Sequence, residues 1–271
     1  MRQYSIAHLT LLHLAPPELI EVAARAGYQF VGLRLIPVGY VGEPLYPLAT
    51  DRGLFERTRA ALDATGVRVL DIELARIYAG VDVRDYVPAL EAGAELGASQ
   101  VITGGWCPDR PFVMDRFAEL CDLARPFGLS VSFEPVTFCD FPALADAVEV
   151  MRYARRDNAA ILIDTLHFDR SGSRLAEIEA LSASYFRFVQ VCDGPRVYGR
   201  GVDELKFVAR EARLMPGEGG IDVSGILRRL PEVPYSLEIP HAQRLAQLGD
   251  EGFARSCLQA TRRYLGDDAV S

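Results

Sequence analysis

The chain has 271 residues, of which 49% are hydrophobic, and a net charge of -8 from 37 acidic and 29 basic residues. This length and apolar content are sufficient for one large core and are typical of a single α/β barrel. The acidic balance, with no strong basic tract, argues against binding to nucleic acid or to an anionic membrane.

The start of the chain and its cysteines favour a cytoplasmic protein. The first residues, Met1 to His8, lack the apolar core of a signal peptide, and no apolar run is long enough to span a membrane. The five cysteines are scattered and have no CxxC spacing. Neither a disulfide framework nor a thiolate zinc site is therefore expected.

Short β-branched runs alternate with longer helical patterns along the whole chain. Eight strands are predicted near residues 4-9, 28-35, 67-74, 99-103, 129-134, 159-164, 185-191 and 234-239. Helices are predicted from Pro16 to Ala26 and from Leu54 to Thr65, because a glycine directly follows each pattern. Eight strand-then-helix units predict a single (β/α)8 TIM barrel over residues 1-271, with a closing helix at residues 242-265.

An open doubly wound sheet is the main competing fold. It is less favoured because no Gly-x-Gly-x-x-Gly turn follows the first strand. Nearly continuous apolar runs, such as Ala159 to Ile163, suit strands that are covered on both faces.

The longest interval between strands, Cys192 to Pro234, contains a predicted helix from Val202 to Ala212. It falls on the C-terminal rim, where barrel enzymes build their active sites.

Four strands in the second half of the chain end on an oxygen donor, namely Glu134, Asp164, Gln190 and Glu238. A buried carboxylate must be paired or coordinated, and the C-terminal ends of strands five to eight form one arc around a barrel mouth. These residues predict a metal site that favours Mn²⁺ or Mg²⁺, with Co²⁺ and Zn²⁺ as alternatives. The competing interpretation is that each carboxylate pairs with an arginine.

Two charged residues lie in otherwise apolar early strands. Arg34 and Glu73 are expected either to pair across strands two and three or to flank a substrate, with Arg34 binding a carboxylate or phosphate. Trp106, after strand four, is a candidate apolar wall of the same site. His8, at the end of strand one, is interpreted as a core histidine.

The order and spacing of the later residues resemble those of the xylose isomerase-like barrels, in particular the sugar-phosphate isomerase and epimerase branch. That branch includes ketose 3-epimerases, inosose isomerases and dehydratases, and 3-dehydroshikimate dehydratases. The resemblance covers nearly the whole chain and rests on Glu134, Asp164-x-x-His167, Gln190-x-x-Asp193, the Arg-x-x-Pro-Gly-x-Gly of Arg213 to Gly219, and Glu238. The chief departure is Gln190, which stands where the family usually has a histidine ligand; a glutamine can offer a carbonyl oxygen but cannot titrate.

This resemblance implies a metal-dependent isomerase or epimerase of a small sugar, keto-sugar or polyol, which acts through an enediolate. Glu134 and Glu238 would approach the substrate from opposite faces as acid and base. His167 would bind a substrate hydroxyl, unless it is only a rim residue. The expected partner is a small polyhydroxylated molecule, and a homo-oligomer is left open.

The resemblance also gives roles to two residues near the rim. Arg213 would reach a substrate oxygen or phosphate, and its alternative is a surface ion pair with Glu211 or Glu218. Asp193 would orient a ligand or Arg213.

Three rival functions remain at this point. A dehydratase or β-eliminating lyase acting on a cyclic keto-polyol or a 3-dehydroshikimate-like acid would use the same site. An apurinic endonuclease would need several histidines at strand ends, and the chain has four in all. A non-catalytic barrel is the third rival, because Gln190 departs from the family's ligands.

Overall fold

The computed structural model describes residues 2–40 and 42–267, and nine parallel strands form one sheet in the order β6-β5-β4-β3-β2-β1-β9-β8-β7. The strands are β1 (Tyr4–Ile6), β2 (Phe30–Arg34), β3 (Arg68–Tyr78), β4 (Gln100–Trp106), β5 (Ser130–Phe133), β6 (Ala159–Ile161), β7 (Ile163–Asp164), β8 (Val189–Val191) and β9 (Tyr235–Leu237). Only Leu162 separates β6 from β7, so these two pieces act as one strand that closes the sheet. The predicted TIM barrel is confirmed.

Helices follow the strands around the outside of the sheet. They are α1 (Pro16–Ala26), α2 (Arg52–Thr65), α3 (Val87–Glu95), α4 (Arg110–Ala124), α5 (Leu144–Ala154), α6 (Thr165–Arg170), α7 (Leu175–Glu179), α8 (Val202–Glu211), α9 (Val223–Leu227) and α10 (Ala242–Leu265). The predicted bounds of α1 are correct, because Gly27 takes a left-handed conformation with φ 96° and ends the helix. Helix α2 begins two residues before the predicted Leu54, since the Asp51 side chain caps it.

The first strand is shorter than predicted because the chain turns inward at His8. Residues His8–Leu11 form a short 3-10 turn instead of the end of β1. The Nδ1 atom of His8 accepts a hydrogen bond from the Arg34 backbone N–H at 2.8 Å, and its Nε2 atom lies 2.9 Å from the Leu14 carbonyl oxygen. His8 is fully buried, in agreement with its interpretation as a core histidine.

Two apolar clusters hold the barrel together. The larger one lies between the sheet and the helices, and the smaller one consists of side chains on or beside strands, namely Phe30, Leu70, Ile102, Leu162 and Phe188. Since no helix contributes to the smaller cluster, we infer that it fills the inside of the barrel.

An aromatic group fixes the end of β5, where one of the predicted site residues follows. The ring of Phe133 meets Phe117 edge-on at 5.5 Å and Phe141 at 5.6 Å between centroids. A Cβ atom on Gly105 would lie 2.5 Å from the Phe141 ring, so β4 needs glycine there. The residue after Phe133, Glu134, is therefore held on a rigid element.

Among the described residues, no helix is long and apolar enough to cross a membrane.

The buried His8 predicts a dependence of stability on acid. Burial lowers the pKa of His8 to about 4 from its usual 6.5. The unfolded chain therefore takes up a proton at this position at a higher pH than the folded chain, and His8 by itself should lower the free energy of unfolding by about 3 kcal/mol as the pH drops from 6.5 to 4. Urea unfolding at several pH values measures this loss.

The variant His8→Gln should show a smaller loss over the same pH range, although it will be less stable at pH 7. His13→Gln, which changes an exposed histidine, serves as the matched control and should keep the wild-type dependence. An unchanged dependence in His8→Gln would show that this imidazole is not its source.

Candidate active site

A cavity of about 550 Å³ opens at the C-terminal ends of the strands, and this volume is typical of small-molecule sites. The predicted site residues that line it are Arg34, Glu73, Trp106, Glu134, His167, Arg213 and Glu238. Asp164 and Gln190 are buried beside these residues but do not line the cavity. The strand ends therefore do meet at one place, and two of the four predicted oxygen donors face the cavity directly.

Backbone hydrogen bonds fix the two carboxylates that line the cavity. Glu134 follows β5, and its N–H donates to the Thr103 carbonyl oxygen at 2.8 Å. A Cβ atom on Gly104 would lie 2.9 Å from the Glu134 carbonyl oxygen, so a glycine in β4 makes this close approach feasible. Glu238 follows β9, and its N–H donates to the Val191 carbonyl oxygen at 3.3 Å.

Arg213 links two of the four predicted donors. Its Nη1 atom lies 2.5 Å from Asp164 Oδ2, and its Nη2 atom lies 2.5 Å from Glu238 Oε2. The Nε atom donates to the Ala209 carbonyl oxygen at 2.8 Å, so the whole guanidinium is fixed. Its side chain is only 2% exposed. The predicted surface ion pair with Glu211 or Glu218 is wrong, because the guanidinium turns inward to these carboxylates.

Gln190 takes part in the same network. In the sheet, Gln190 pairs with Asp164 on one side and with Ser236 on the other. Its Nε2 atom donates to Glu238 Oε1 at 2.9 Å, while its buried carbonyl oxygen Oε1 has no hydrogen-bond partner among the described residues. That unpaired oxygen is the group that the sequence analysis expected to bind a cation.

Asp164 also caps the helix that carries His167. Its Oδ1 atom accepts from the backbone N–H groups of Leu166 at 2.7 Å and His167 at 3.2 Å. His167 is buried in the first turn of α6, and its Nδ1 atom accepts from the Thr137 backbone N–H at 3.4 Å. Burial lowers the pKa of His167 to about 4, so the imidazole is neutral near pH 7.

The carboxyl groups of the site have different proton affinities. Burial, followed by repulsion from Glu238 and Asp164, raises the pKa of Glu134 well above its usual value. Burial also raises the pKa of Glu238 to about 8, although Arg213 opposes the shift. For Asp164, burial would raise the pKa, but Arg213 and His167 outweigh it and hold the pKa below the usual value. The raised pKa values suit Glu134 and Glu238 for proton transfer, whereas Asp164 is held in its ionised form.

The donor set fits a divalent cation. One donor atom each from Glu134, Asp164 and His167 can be chosen so that all lie within 4.8 Å of one another. When ionised, the carboxylates of Glu134, Asp164 and Glu238 carry three negative charges, and Arg213 neutralises only one. A divalent ion would balance the remaining two. His167 was not predicted as a ligand, although its i+3 spacing from Asp164 was the available signal.

The predicted ion pair between Arg34 on β2 and Glu73 on β3 is formed. Arg34 Nη2 lies 3.2 Å from Glu73 Oε1, and Arg34 Nη1 lies 3.7 Å from Glu43 Oε1. Arg34 and Glu73 also line the cavity, as does Trp106 at the end of β4. The two interpretations of this pair, as an ion pair and as neighbours of a substrate, are therefore compatible.

Asp193 acts on the loop after Arg213, and no hydrogen bond joins it to the guanidinium. Its carboxylate accepts from the N–H groups of Gly217 at 3.1 Å, Gly219 at 2.9 Å and Ile221 at 3.0 Å. The backbones of Asp193 and Leu214 also exchange hydrogen bonds. The expected orientation of Arg213 by Asp193 is thus indirect, through the backbone on either side of it.

Sequence reasoning missed several residues at the mouth of the cavity. Arg76, on the long outer end of β3, and Arg210, on α8, both line it, together with Tyr40 and Phe138. The strand prediction stopped at residue 74, so Arg76 was not placed. Arg210 lies three residues before Arg213 and within the helix predicted from Val202 to Ala212, and that position was the available signal.

The comparisons with known proteins agree with the barrel fold. A family model described as the xylose isomerase-like TIM barrel matches residues 20–258. An inosose isomerase from Bacillus subtilis is 29% identical over 130 residues, which are 45% of this chain and 43% of that protein. The match therefore spans less than half of this relative.

Solved structures share the fold. One is the IolI protein with a bound zinc atom, with a TM-score of 0.79 and 17% identity over 98% of both chains. Another is D-allulose 3-epimerase from Methylomonas sp. in complex with D-allulose, with a TM-score of 0.70 and 15% identity over 97% of both chains. At these identities the likeness establishes the architecture alone.

The position of Arg213 predicts a large loss of stability on its removal. Arg213→Met would leave Asp164 and Glu238 buried without their counter-ion, at a cost of roughly 3–5 kcal/mol in the free energy of unfolding. The second variant, Arg213→Met with Asp164→Asn, should recover part of this loss because it removes the charge of the carboxyl whose pKa Arg213 helps to hold below the usual value. Urea unfolding at pH 7 measures both.

Arg187→Gln is the matched control, because Arg187 is exposed at the opposite end of the barrel, before β8. It should unfold as the wild type does. Additive losses in the double variant would contradict a direct coupling between Arg213 and Asp164.

Proposed function

Because the chain belongs to the xylose isomerase-like TIM barrel family, we propose that it is a divalent-metal-dependent isomerase or epimerase of a small keto-sugar or polyol. The observation that carries this proposal is the pair of strand-end carboxylates, Glu134 and Glu238, that line one cavity beside a third carboxylate. A proton next to a carbonyl is weakly acidic, and its removal needs a base within hydrogen-bond reach and a group that stabilises the resulting negative charge.

Different residues of the cavity carry out proton transfer, substrate binding and positioning. In this proposal Glu238 is the base that takes the proton from carbon, and Glu134 returns a proton to the same or the neighbouring carbon. Return to the opposite face of the same carbon inverts the centre. Return to the neighbouring carbon moves the carbonyl, as the hydroxyl of the first carbon loses its proton and the former carbonyl oxygen gains one. His167, neutral and buried, binds a substrate hydroxyl, and Trp106 forms an apolar wall. Arg213 holds Glu238 in place through its ion pair.

Glu134, Asp164 and Glu238, with the carbonyl oxygen of Gln190 beside them, would hold the metal. A divalent ion held there would polarise the substrate carbonyl and offset the charge that develops on its oxygen. The oxygen-rich donor set favours Mn²⁺ or Mg²⁺ in this proposal, with Co²⁺ and Zn²⁺ as alternatives. The zinc atom in the IolI structure is consistent with a metal at a site of this kind.

The names of the relatives support a keto-polyol as the substrate. The inosose isomerase match and the epimerase structure both concern polyhydroxylated carbonyl compounds. Elimination of a β-hydroxyl from the same enolate would make the chain a dehydratase, so the test must separate the two outcomes.

The direct test is hydrogen exchange in D₂O. The Mn²⁺-loaded protein, incubated with a panel of cyclic and open-chain keto-polyols, should place deuterium on the carbon next to the carbonyl of at least one of them, as detected by NMR. Loss of that proton together with a new ultraviolet-absorbing enone would instead identify a dehydratase. Absence of exchange across the panel with Mn²⁺, Mg²⁺, Co²⁺ and Zn²⁺ would refute the proposal.

The assigned base gives a sharper prediction. Glu238→Gln should reduce deuterium exchange by about three orders of magnitude or more, because it removes the base and one charge near the metal. Circular dichroism should show a folded protein. Glu232→Gln, which changes an exposed carboxylate before β9 at the opposite end of the barrel, is the control and should exchange normally. Full exchange in Glu238→Gln would refute the assignment.

The unusual ligand position can be tested without turnover. Gln190→His should keep a bound metal and shift the preference toward Zn²⁺, since imidazole is a better zinc ligand than an amide. Metal content after dialysis and isothermal titration with Mn²⁺ and Zn²⁺ measure this shift. Loss of all metal binding in Gln190→His would contradict the place of residue 190 beside the metal.

A further inference from the structure

Two arginines at the mouth of the cavity are not used by the proposed chemistry. Arg76 extends from β3, and Arg210 extends from α8, so they come from different parts of the chain. Both line the cavity that Glu134 and Glu238 line. They approach the same short segment, since Arg76 Nη2 donates to the Val38 carbonyl oxygen and the Arg210 guanidinium carbon lies 6.0 Å from the Tyr40 ring centroid.

Neither guanidinium has an acidic partner within residues 2–40 and 42–267, in contrast to the other arginines of the cavity. Arg34 pairs with Glu73 and Glu43, and Arg213 pairs with Asp164 and Glu238. The Glu43 carboxylate also accepts from the backbone N–H groups of Val38 at 3.0 Å and Gly39 at 2.7 Å. The acid closest in sequence to this segment is therefore already engaged.

The next residue on α8, Glu211, also lines the cavity, but it forms no ion pair with either arginine in the described part of the chain. The mouth thus keeps two positive charges that its own carboxylates do not neutralise.

Aromatic rings support both guanidinium groups. The Arg76 guanidinium carbon lies 5.5 Å from the Trp106 ring centroid, and that of Arg210 lies 5.8 Å from the Phe138 ring centroid. Stacking on a ring restrains a long side chain while leaving N–H groups free to donate hydrogen bonds to a planar or tetrahedral anion. Two such groups on one rim can each offer paired N–H donors to a carboxylate or phosphate.

The charges along the cavity also differ in sign. The inner end holds Glu134 and Glu238, with Asp164 buried beside them, around Arg213. The mouth holds Arg76 and Arg210 with one acid, Glu211. A substrate whose hydroxyl and carbonyl groups face the inner end and whose anionic group faces outward would match both ends.

The geometry points to a substrate-anion subsite formed by Arg76 and Arg210, which binds a carboxylate or phosphate of the keto-polyol on which the proposed function acts. The substrate class is therefore an acidic keto-polyol, either a polyhydroxy acid or a phosphate ester. This subsite selects the substrate and takes no part in the proton transfer.

Binding of matched probes tests the subsite. D-Glucitol is neutral, D-gluconate carries a carboxylate in place of one hydroxymethyl group, and D-glucitol 6-phosphate carries a phosphate. Isothermal titration of the wild-type protein should show at least tenfold tighter binding of one anionic probe than of D-glucitol. The same preference should remain in protein treated with EDTA, which removes any contribution from a direct contact between the anion and a metal.

Variants assign the preference to the two arginines. Arg76→Gln and Arg210→Gln should each reduce the ratio of anionic to neutral affinity by about fivefold or more. Arg210 is exposed, so its variant should fold normally even if Arg76→Gln does not. Arg187→Gln removes one positive charge at the opposite end of the barrel and should leave the ratio unchanged.

The binding results identify the anion or overturn the subsite. Preference for D-gluconate identifies a carboxylate, and preference for D-glucitol 6-phosphate identifies a phosphate. Failure of both anions to bind more tightly than D-glucitol, an unchanged ratio in Arg210→Gln, or an equal fall in Arg187→Gln would overturn the subsite. Deuterium exchange on neutral keto-polyols without any anion preference would leave the proposed function standing. An anion preference without exchange on any keto-polyol, neutral or acidic, would leave only the subsite.

Discussion

The ion pairs of Arg213 with Asp164 and Glu238 are the interaction on which the centre of this barrel depends. Asp164 ends β7 and Glu238 follows β9, so one guanidinium joins strands that lie on either side of β8. Buried carboxylates are costly without a counter-charge, and Arg213 is fully buried beside them. The polypeptide thus supplies its own cation at the point where the strand ends converge.

The single positive charge of Arg213 does not balance the negative charges of the three carboxylates. This imbalance determines the chemistry that the site can support. Three carboxylates share one guanidinium, so the site keeps protons on Glu134 and Glu238 or gains a further positive charge. The same deficit favours a metal and makes the two cavity-lining carboxylates suitable for moving protons. Gln190 fits this balance, because an amide adds an oxygen donor without adding charge.

Much of the fold could be predicted from local signals, whereas the contacts of the site could not. Glycines after helices and apolar runs between them are local properties of the sequence, so α1 and most strands were predicted closely. The convergence of Glu134 and Glu238 followed from barrel topology. The partners of Arg213 did not, because a long side chain with several rotatable bonds can reach either solvent or the interior. Asp193 was likewise placed near Arg213, but its four backbone partners depend on a loop conformation that no short pattern specifies.

Helix α8 packs less tightly against the rest of the protein than the strands of the barrel do. Ala209 is its only buried residue, and Arg210 meets the neighbouring loops mainly through the rings of Tyr40 and Phe138. Substitutions on such a helix disturb few packed contacts, whereas substitutions at Arg213 or Glu134 disturb the centre of the barrel. Sequence drift is therefore tolerated at the rim and opposed at the inner end. This division offers a physical route by which barrels with one reaction centre diverge to accept different substrates.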